Sequence, residues 1–296
     1  MATSINMEGS VTSRDGTSIG YQRYGTRGSG LVLVQGTMGT AYNFVELAKQ
    51  LADTFMVYVP DRRGRGMSGP SGKAYDIKRE VEDLEALFAK TKAHYVFGLS
   101  SGAIISLEAA LVLPTVSKLA IYEPPLFREG TLPVAYIDRY EKEIAEGKLA
   151  GALITGMKAG KFGPPVMNFI PRWLLQGMVG RIMKLEEKKG TGGYAPMSVL
   201  AYTLHNDFQL VRAMSGKIEH FKDVQIEVLL LGGGKSPKYL KTALDELEKV
   251  LPHRKRTEFP GLDHGAAWNY DKQRNPHGNP KVVAEALKLF FMPDRQ

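Results

Sequence analysis

Short runs of β-branched and aromatic residues alternate with helical patterns along most of this 296-residue chain, and that alternation leaves few folds open. Ser18–Tyr24, Leu31–Gln35, Phe55–Pro60, His94–Leu99, Lys118–Tyr122, Ile226–Leu231 and Arg256–Phe259 read as strands. Tyr42–Leu51, Ile77–Ala89, Gly102–Val112, Tyr239–Val250 and Lys281–Phe291 read as helices between or after them. In the second of these, Val81, Leu84, Leu87 and Phe88 recur at spacings of three and four, which makes one apolar face. Strands that alternate with helices predict an α/β protein, with a mostly parallel central sheet covered by helices on both sides. The Asp-Gly pair in Arg14-Asp15-Gly16 is a turn signal that would make the first two strands an antiparallel hairpin.

The alternation stops between about Leu126 and Lys222. That stretch reads as helices without a strand, broken at Gly160, Gly163-Pro164-Pro165, Pro171 and Gly190–Gly193. It holds six of the twelve methionines in about a third of the chain, with Trp173 and several tyrosines beside them. The expected division is an α/β core from 1–125 and 223–296, with 126–222 inserted as a helical cap. Methionine suits an adaptable apolar pocket lining. The plainer reading, favoured for any single methionine, is that it packs a cap helix against the sheet.

Composition closes several routes. The chain has no cysteine, which excludes disulfides, thiolate metal sites and a cysteine nucleophile. Met1 to Gly9 lacks the basic start and apolar run of a signal peptide, and no stretch reaches ~18 apolar residues, so a cytoplasmic protein is the default expectation. The net charge of +8 raises the question of a polyanion partner. The densest basic runs, Arg62-Arg63-Gly64-Arg65 and His253-Arg254-Lys255-Arg256, lie far apart. That pattern predicts a solvated basic surface, a small-molecule substrate, and neither a nucleic-acid nor a membrane partner.

The sharpest local signal is Gly98-Leu99-Ser100-Ser101-Gly102, a G-x-S-x-G arrangement. So short a match is weak alone, but Tyr95, Val96 and Phe97 lead into it as a strand, and Ala103, Ile104, Leu107, Ala110 and Leu111 lead out as a helix. A sharp strand-to-helix turn lifts the serine hydroxyl above the sheet at a helix N-terminus, and the small neighbours relieve the crowding. The competing reading is a serine N-cap followed by a small-residue turn. Ser101 is the second candidate nucleophile, behind Ser100 because the glycine spacing centres on Ser100.

With these residues in view, the chain resembles the α/β-hydrolase family almost end to end. Leu31–Gly36 followed by Thr37-Met38-Gly39 is similar to the family's strand and oxyanion loop. Asp61-Arg62-Arg63-Gly64-Arg65-Gly66-Met67-Ser68 is similar to its D-x-R-G-x-G-x-S turn, and Gly261-Leu262-Asp263-His264 to its terminal G-x-x-H. The resemblance implies Ser100 as nucleophile and His264 as general base. It also implies an oxyanion hole from the backbone N–H groups of Thr37 and Ser101. Gln35 stands where the family usually has His. The other histidines, His94, His205, His220, His253 and His277, lack the strand–turn–helix setting of His264.

The triad acid departs from the family's commoner pattern. Many members place an aspartate after the strand that follows the cap, but here Gly232-Gly233-Gly234-Lys235-Ser236-Pro237 offers no carboxylate. A lysine beside the imidazole would oppose the imidazolium formed in each turnover. Some members carry the acid at the tip of the strand after the nucleophile helix, where this chain has Glu123 followed by Pro124 and Pro125. Glu123 is the expected acid, with Asp207 and Asp263 as alternatives; the plain reading of Glu123 is a carboxylate that ties down the cap hinge.

These residues predict hydrolysis of an ester or lactone through an acyl-serine intermediate. Other chemistries on the same triad stay open: carbon–carbon hydrolysis, a lyase, or a cofactor-free oxidative reaction. So does a ligand-binding protein that has lost turnover. A serine at the elbow argues against the family's aspartate-nucleophile members. No metal or organic cofactor is implied: there is no H-E-x-x-H, no Walker loop, and Gly64-Arg65-Gly66 does not continue into G-x-G-x-x-G.

Overall fold

A single eight-stranded sheet organises the computed structural model, which describes residues 7–162, 167 and 169–292. The strands are β1 (Met7–Thr12), β2 (Ser18–Tyr24), β3 (Gly30–Val34), β4 (Met56–Pro60), β5 (Tyr95–Leu99), β6 (Lys118–Tyr122), β7 (Glu227–Gly233) and β8 (Arg254–Phe259). Their order is β1-β2-β4-β3-β5-β6-β7-β8, with β2 antiparallel to both its neighbours and every later pair parallel. β1 and β2 form the hairpin that the Asp-Gly pair predicts, with Gly16 at φ +86° in the turn. β1 itself has no apolar run to announce it. It is an edge strand in which only Val11 is buried.

The helices are α1 (Val45–Leu51), α2 (Ile77–Thr91), α3 (Ser101–Val112), α4 (Val134–Ala145), α5 (Leu149–Ala159), α6 (Arg172–Lys189), α7 (Met197–Met214), α8 (Lys238–Val250) and α9 (Pro280–Phe291). Alternating side chains of each strand feed two cores. Val32, Val34 and Val96 pack on one face with α2, α3 and α8. Leu31, Leu33, Phe97 and Leu99 pack on the other with α1 and α9. A strand buried on both faces needs an unbroken apolar run, and β3 and β5 have one. In α2 the predicted face, Val81, Leu84, Leu87 and Phe88, is the buried one, and the Asp76 side chain caps its first turn by accepting the Arg79 N–H at 3.1 Å.

Between β6 and β7 the described residues hold four α-helices, α4–α7, a 3-10 turn at Ile218–Asp223, and no strand. The predicted break at Gly163-Pro164-Pro165 lies outside the described residues. Tyr140, Ala152 and Leu204 make a small core among α4, α5 and α7, and the Tyr140 hydroxyl donates to the Ala201 carbonyl at 2.7 Å. The methionines do not act as one set. Met214 packs into the main core, whereas Met178 is exposed on α6 beside Leu174, Ile182 and Leu185. Among the described residues, no helix is long and apolar enough to cross a membrane.

One expectation about charge is overturned. Arg62, Arg63 and Arg65, read as part of a solvated basic surface, are 3%, 1% and 2% exposed. Each meets a carboxylate: Arg62 pairs with Glu80 and Asp207, Arg63 with Asp83 and Asp15, and Arg65 with Asp207. The turn between β4 and α2 carries them into the interior, where acids from other elements, all but Asp15 buried, compensate them. The second run stays outside: His253, Arg254 and Lys255 are exposed.

Candidate active site

The elbow is a close-packed turn from β5 into α3. Ser100 sits at φ +56°, ψ −124°, a backbone strain that L-residues hold only where surrounding structure enforces it. Its N–H donates to the Tyr122 carbonyl at 2.9 Å. A Cβ on Gly98 would come 2.5 Å from the Gly102 carbonyl oxygen, and one on Gly102 would come 2.4 Å from that of Val34. Both motif glycines are thus required by close approach of main chain. Ser100 keeps a little exposure, while Ser101 is fully buried with its hydroxyl donating to Asp207 Oδ1 at 2.8 Å. Of the two serines, Ser100 is the one that reaches solvent.

His264 follows β8 and brings Nδ1 within 2.8 Å of Glu123 Oε2. Glu123 is fully buried at the tip of β6, with φ +47°, and its other oxygen, Oε1, accepts the Gly233 N–H at 2.6 Å. The glycine run at the end of β7, which lacks a carboxylate of its own, therefore supplies a donor to this one. It also makes room: a Cβ on Gly232 would lie 3.2 Å from Glu123 Oε1 and 2.7 Å from Leu244 Cδ1. Phe162, between α5 and α6, stacks on the His264 ring with centroids 5.3 Å apart and planes 18° from parallel. No hydrogen bond joins Ser100 Oγ to His264 among the described residues, and such contacts commonly tighten only with substrate in place.

The alternative acids are elsewhere. Asp263 turns back on its own loop, where Oδ1 accepts the Gly265 N–H at 2.9 Å. Asp207, on α7, accepts from Arg62 at 2.8 Å, from Ser101 Oγ at 2.8 Å and from Arg65 at 2.6 Å. Burial pushes its carboxyl up, but Arg65, Arg62 and the Ser101 hydroxyl outweigh burial and hold it below the usual carboxylate range. Arg62 also donates to Glu80, at 3.1 Å through Nε and 2.7 Å through Nη2.

This cluster lies against the loop after β3. Arg65 Nη1 donates to the carbonyls of Gly36 at 2.8 Å and Gly39 at 3.2 Å, and the Gly39 N–H closes the turn on the Gly36 carbonyl at 3.2 Å. A Cβ on Gly36 would fall 2.7 Å from Ser100 Cβ, so only glycine lets this loop approach the elbow. The Thr37 and Ser101 side chains stand 3.4 Å apart, oxygen to oxygen. Neither backbone N–H is taken by a protein acceptor among the described residues. Gln35 is fully buried and its amide donates to the Pro60 carbonyl, which ties the loop to β4. Among the described residues, no group of three or more His, Asp or Glu could hold a metal.

Sequence reasoning did not foresee Arg65, Phe162 or Gly233 at this site. One signal was present: Asp207 is an acid in a helix among Leu204, Phe208, Leu210 and Val211, and a charge among such neighbours needs a buried partner.

A model of the alpha/beta hydrolase family matches residues 31–286. An uncharacterized hydrolase, YraK, of Bacillus subtilis (strain 168) is 36% identical over 117 residues, 38% of this chain and 42% of that protein. N-formylmaleamate deformylase of Pseudomonas putida is 32% identical over 127 residues, 41% of this chain and 47% of that protein. The matched stretches thus span less than half the length of these two relatives. Among solved structures, an alpha/beta hydrolase from Sphaerobacter thermophilus DSM 20745 is 30% identical, with a TM-score of 0.75, 96% of this chain covered and 100% of that one. The esterase RhEst1 from Rhodococcus sp. ECU1013 shares the fold at 18% identity, with a TM-score of 0.64, 96% of this chain covered and 98% of that one.

Proposed function

The chain belongs to the alpha/beta hydrolase family, and we propose on that footing that it is a serine hydrolase. It cleaves an ester or lactone of a small, largely apolar substrate through an acyl-serine intermediate. The observation that carries this reading is the 2.8 Å contact of Glu123 with His264 Nδ1, beside a serine in a strained elbow.

With Glu123 as a carboxylate, Nδ1 carries the imidazole proton and Nε2 keeps its lone pair. His264 Nε2 takes the Ser100 proton as Oγ bonds to the substrate carbonyl carbon, and the Thr37 and Ser101 N–H groups receive the oxyanion. Collapse breaks the carbon–oxygen bond, with His264 returning the proton to the leaving alkoxide. Water then attacks the acyl-serine, His264 takes its proton, and Ser100 leaves reprotonated. Glu123 keeps the ring in the required tautomer and offsets its transient positive charge. In this reading residues 126–222 cap a core of 1–125 and 223–296. The stacking of Phe162 on His264 and the bond from Ser101 to Asp207 of α7 support it.

A fluorophosphonate probe tests the nucleophile. Wild type should label on Ser100, and Ser100→Ala should lose both label and turnover, the latter by roughly a millionfold, with folding intact. Label that survives in Ser100→Ala and vanishes in Ser101→Ala would overturn the assignment. A panel of esters and lactones then defines the substrate, with an N-formyl amide added because of the deformylase relative.

A further inference from the structure

We propose that Arg65, held by Asp207 of α7, is a positioning residue that aims the Thr37 N–H at the oxyanion, so that the oxyanion site is complete only with α7 docked. The inference rests on the serine-hydrolase reading.

The carbonyl of Gly36 and the N–H of Thr37 belong to the same trans peptide unit and point in opposite directions. Arg65 Nη1 holds that carbonyl at 2.8 Å and the Gly39 carbonyl at 3.2 Å. Fixing the carbonyl inward fixes the N–H outward, away from the guanidinium. A charge-assisted bond at the oxygen also polarises the peptide and makes its N–H a stronger donor.

Arg65 is kept in place in turn. Its second nitrogen, Nη2, meets Asp207 Oδ2 at 2.6 Å, and Oδ1 of the same carboxylate receives the Ser101 hydroxyl and Arg62, both at 2.8 Å. One carboxylate from α7 therefore braces both proposed donors: Ser101 directly, and Thr37 through Arg65. Asp207 is 1% exposed and Arg65 2%, so water does not substitute for either. Stability alone does not call for such a cluster, because apolar residues of the same volume are often as stabilising as a buried ion pair. They could not, however, hold two carbonyls and a hydroxyl in fixed directions.

The test separates oxyanion binding from ground-state binding. Affinity is measured for a trifluoromethyl ketone, which adds Ser100 Oγ to its carbonyl and leaves an oxyanion, and for a non-reacting substrate analogue. Loss of one oxyanion donor costs about a hundred- to a thousandfold in turnover, so misaiming one should cost about ten- to a hundredfold. Asp207→Asn and Arg65→Lys should lose that factor in kcat and in ketone affinity, with KM and analogue affinity nearly unchanged. A lysine cannot bridge Asp207 and the Gly36 carbonyl with one planar fork, so it should not rescue. Ser101→Ala keeps its backbone N–H and the ion pairs, and should lose a smaller factor of the same kind. It serves if the charge variants fail to fold. The pH midpoint of kcat should stay at the wild-type value in all three, since His264 and Glu123 are untouched. Folded variants with wild-type ketone affinity, or with equal losses for ketone and analogue, would overturn the inference. Wild-type protein with no adduct on Ser100 would instead overturn the serine-hydrolase reading beneath it.

Discussion

Glu123 and Asp207 are buried carboxylates from different parts of the chain, one at the tip of β6 and bonded to His264, the other on α7 and bonded to Ser101. Each accepts at both oxygens. Glu123 has the Gly233 N–H and an imidazole as partners; Asp207 has a hydroxyl and two guanidiniums. The partners decide what each acid can do. An imidazole can take a second proton and give it back, so in the proposed reading the Glu123 pair changes charge during a reaction. A guanidinium does not deprotonate in proteins, so the Asp207 cluster keeps its charge and can only hold geometry. In the proposed reading, two acids of similar burial are thereby divided into a chemical role and a positional one.

The hardest trial of that division is Glu123→Gln. It should reduce kcat by about a thousand- to ten-thousandfold, as loss of a triad acid's charge does elsewhere, while a non-reacting analogue binds as before. The loss should exceed that in Asp207→Asn by at least about tenfold, and the pH–rate midpoint should move in Glu123→Gln alone. The reverse ranking in steady-state kinetics would exchange the two roles.

A second trial concerns stability. The Asp207 carboxyl is held below its ordinary value of 3.8 in the fold, so the unfolded chain binds its proton first as pH falls. Its contribution is complete above the unfolded value and is lost as pH falls towards the lower folded one. Denaturant titrations from pH 7 down should show wild-type stability falling below about pH 4, with this group adding up to about 1.4 kcal/mol per pH unit. Asp207→Asn should be less stable at neutral pH, by about 3–5 kcal/mol if Arg65 is left uncompensated, and should lose that part of the acid slope. An unchanged acid slope would mean that Asp207 is not the stabilising anion its contacts indicate.

The smallest effect is expected at Asp263, which adjoins His264 in sequence but whose side chain bonds only within its own turn. An asparagine oxygen can accept the same Gly265 N–H, so Asp263→Asn should change stability by less than about 0.5 kcal/mol. Turnover should stay within about twofold of wild type, since this acid meets neither His264 nor the oxyanion loop. A large loss of turnover would put Asp263, rather than Glu123, on the imidazole.

The features legible in the sequence share a physical basis. Strand and helix periodicity, the Gly98–Gly102 elbow and the glycine turn before His264 are set by neighbours a few residues apart, where steric and pairing rules act directly on the chain. Glu123 was singled out by the lack of a carboxylate after β7 together with the family resemblance, and the structure sets its strand, β6, beside β5. β1 was not delimited, since an edge strand with one buried side chain leaves little pattern.

The sequence by itself determined the class of fold and singled out a candidate serine, histidine and acid. Only the tertiary structure decided what the arginines are for. Arg62-Arg63-Gly64-Arg65 and His253-Arg254-Lys255-Arg256 look alike as strings, yet the arginines of the first are buried against acids while His253, Arg254 and Lys255 of the second face water. The reason is distance along the chain. Arg65 finds Asp207 142 residues away, and Glu123 finds His264 141 residues away. Charge pairing over such separations leaves no periodic trace, and whether a guanidinium is solvated or compensated depends on elements that meet only when the sheet and helix α7 come together.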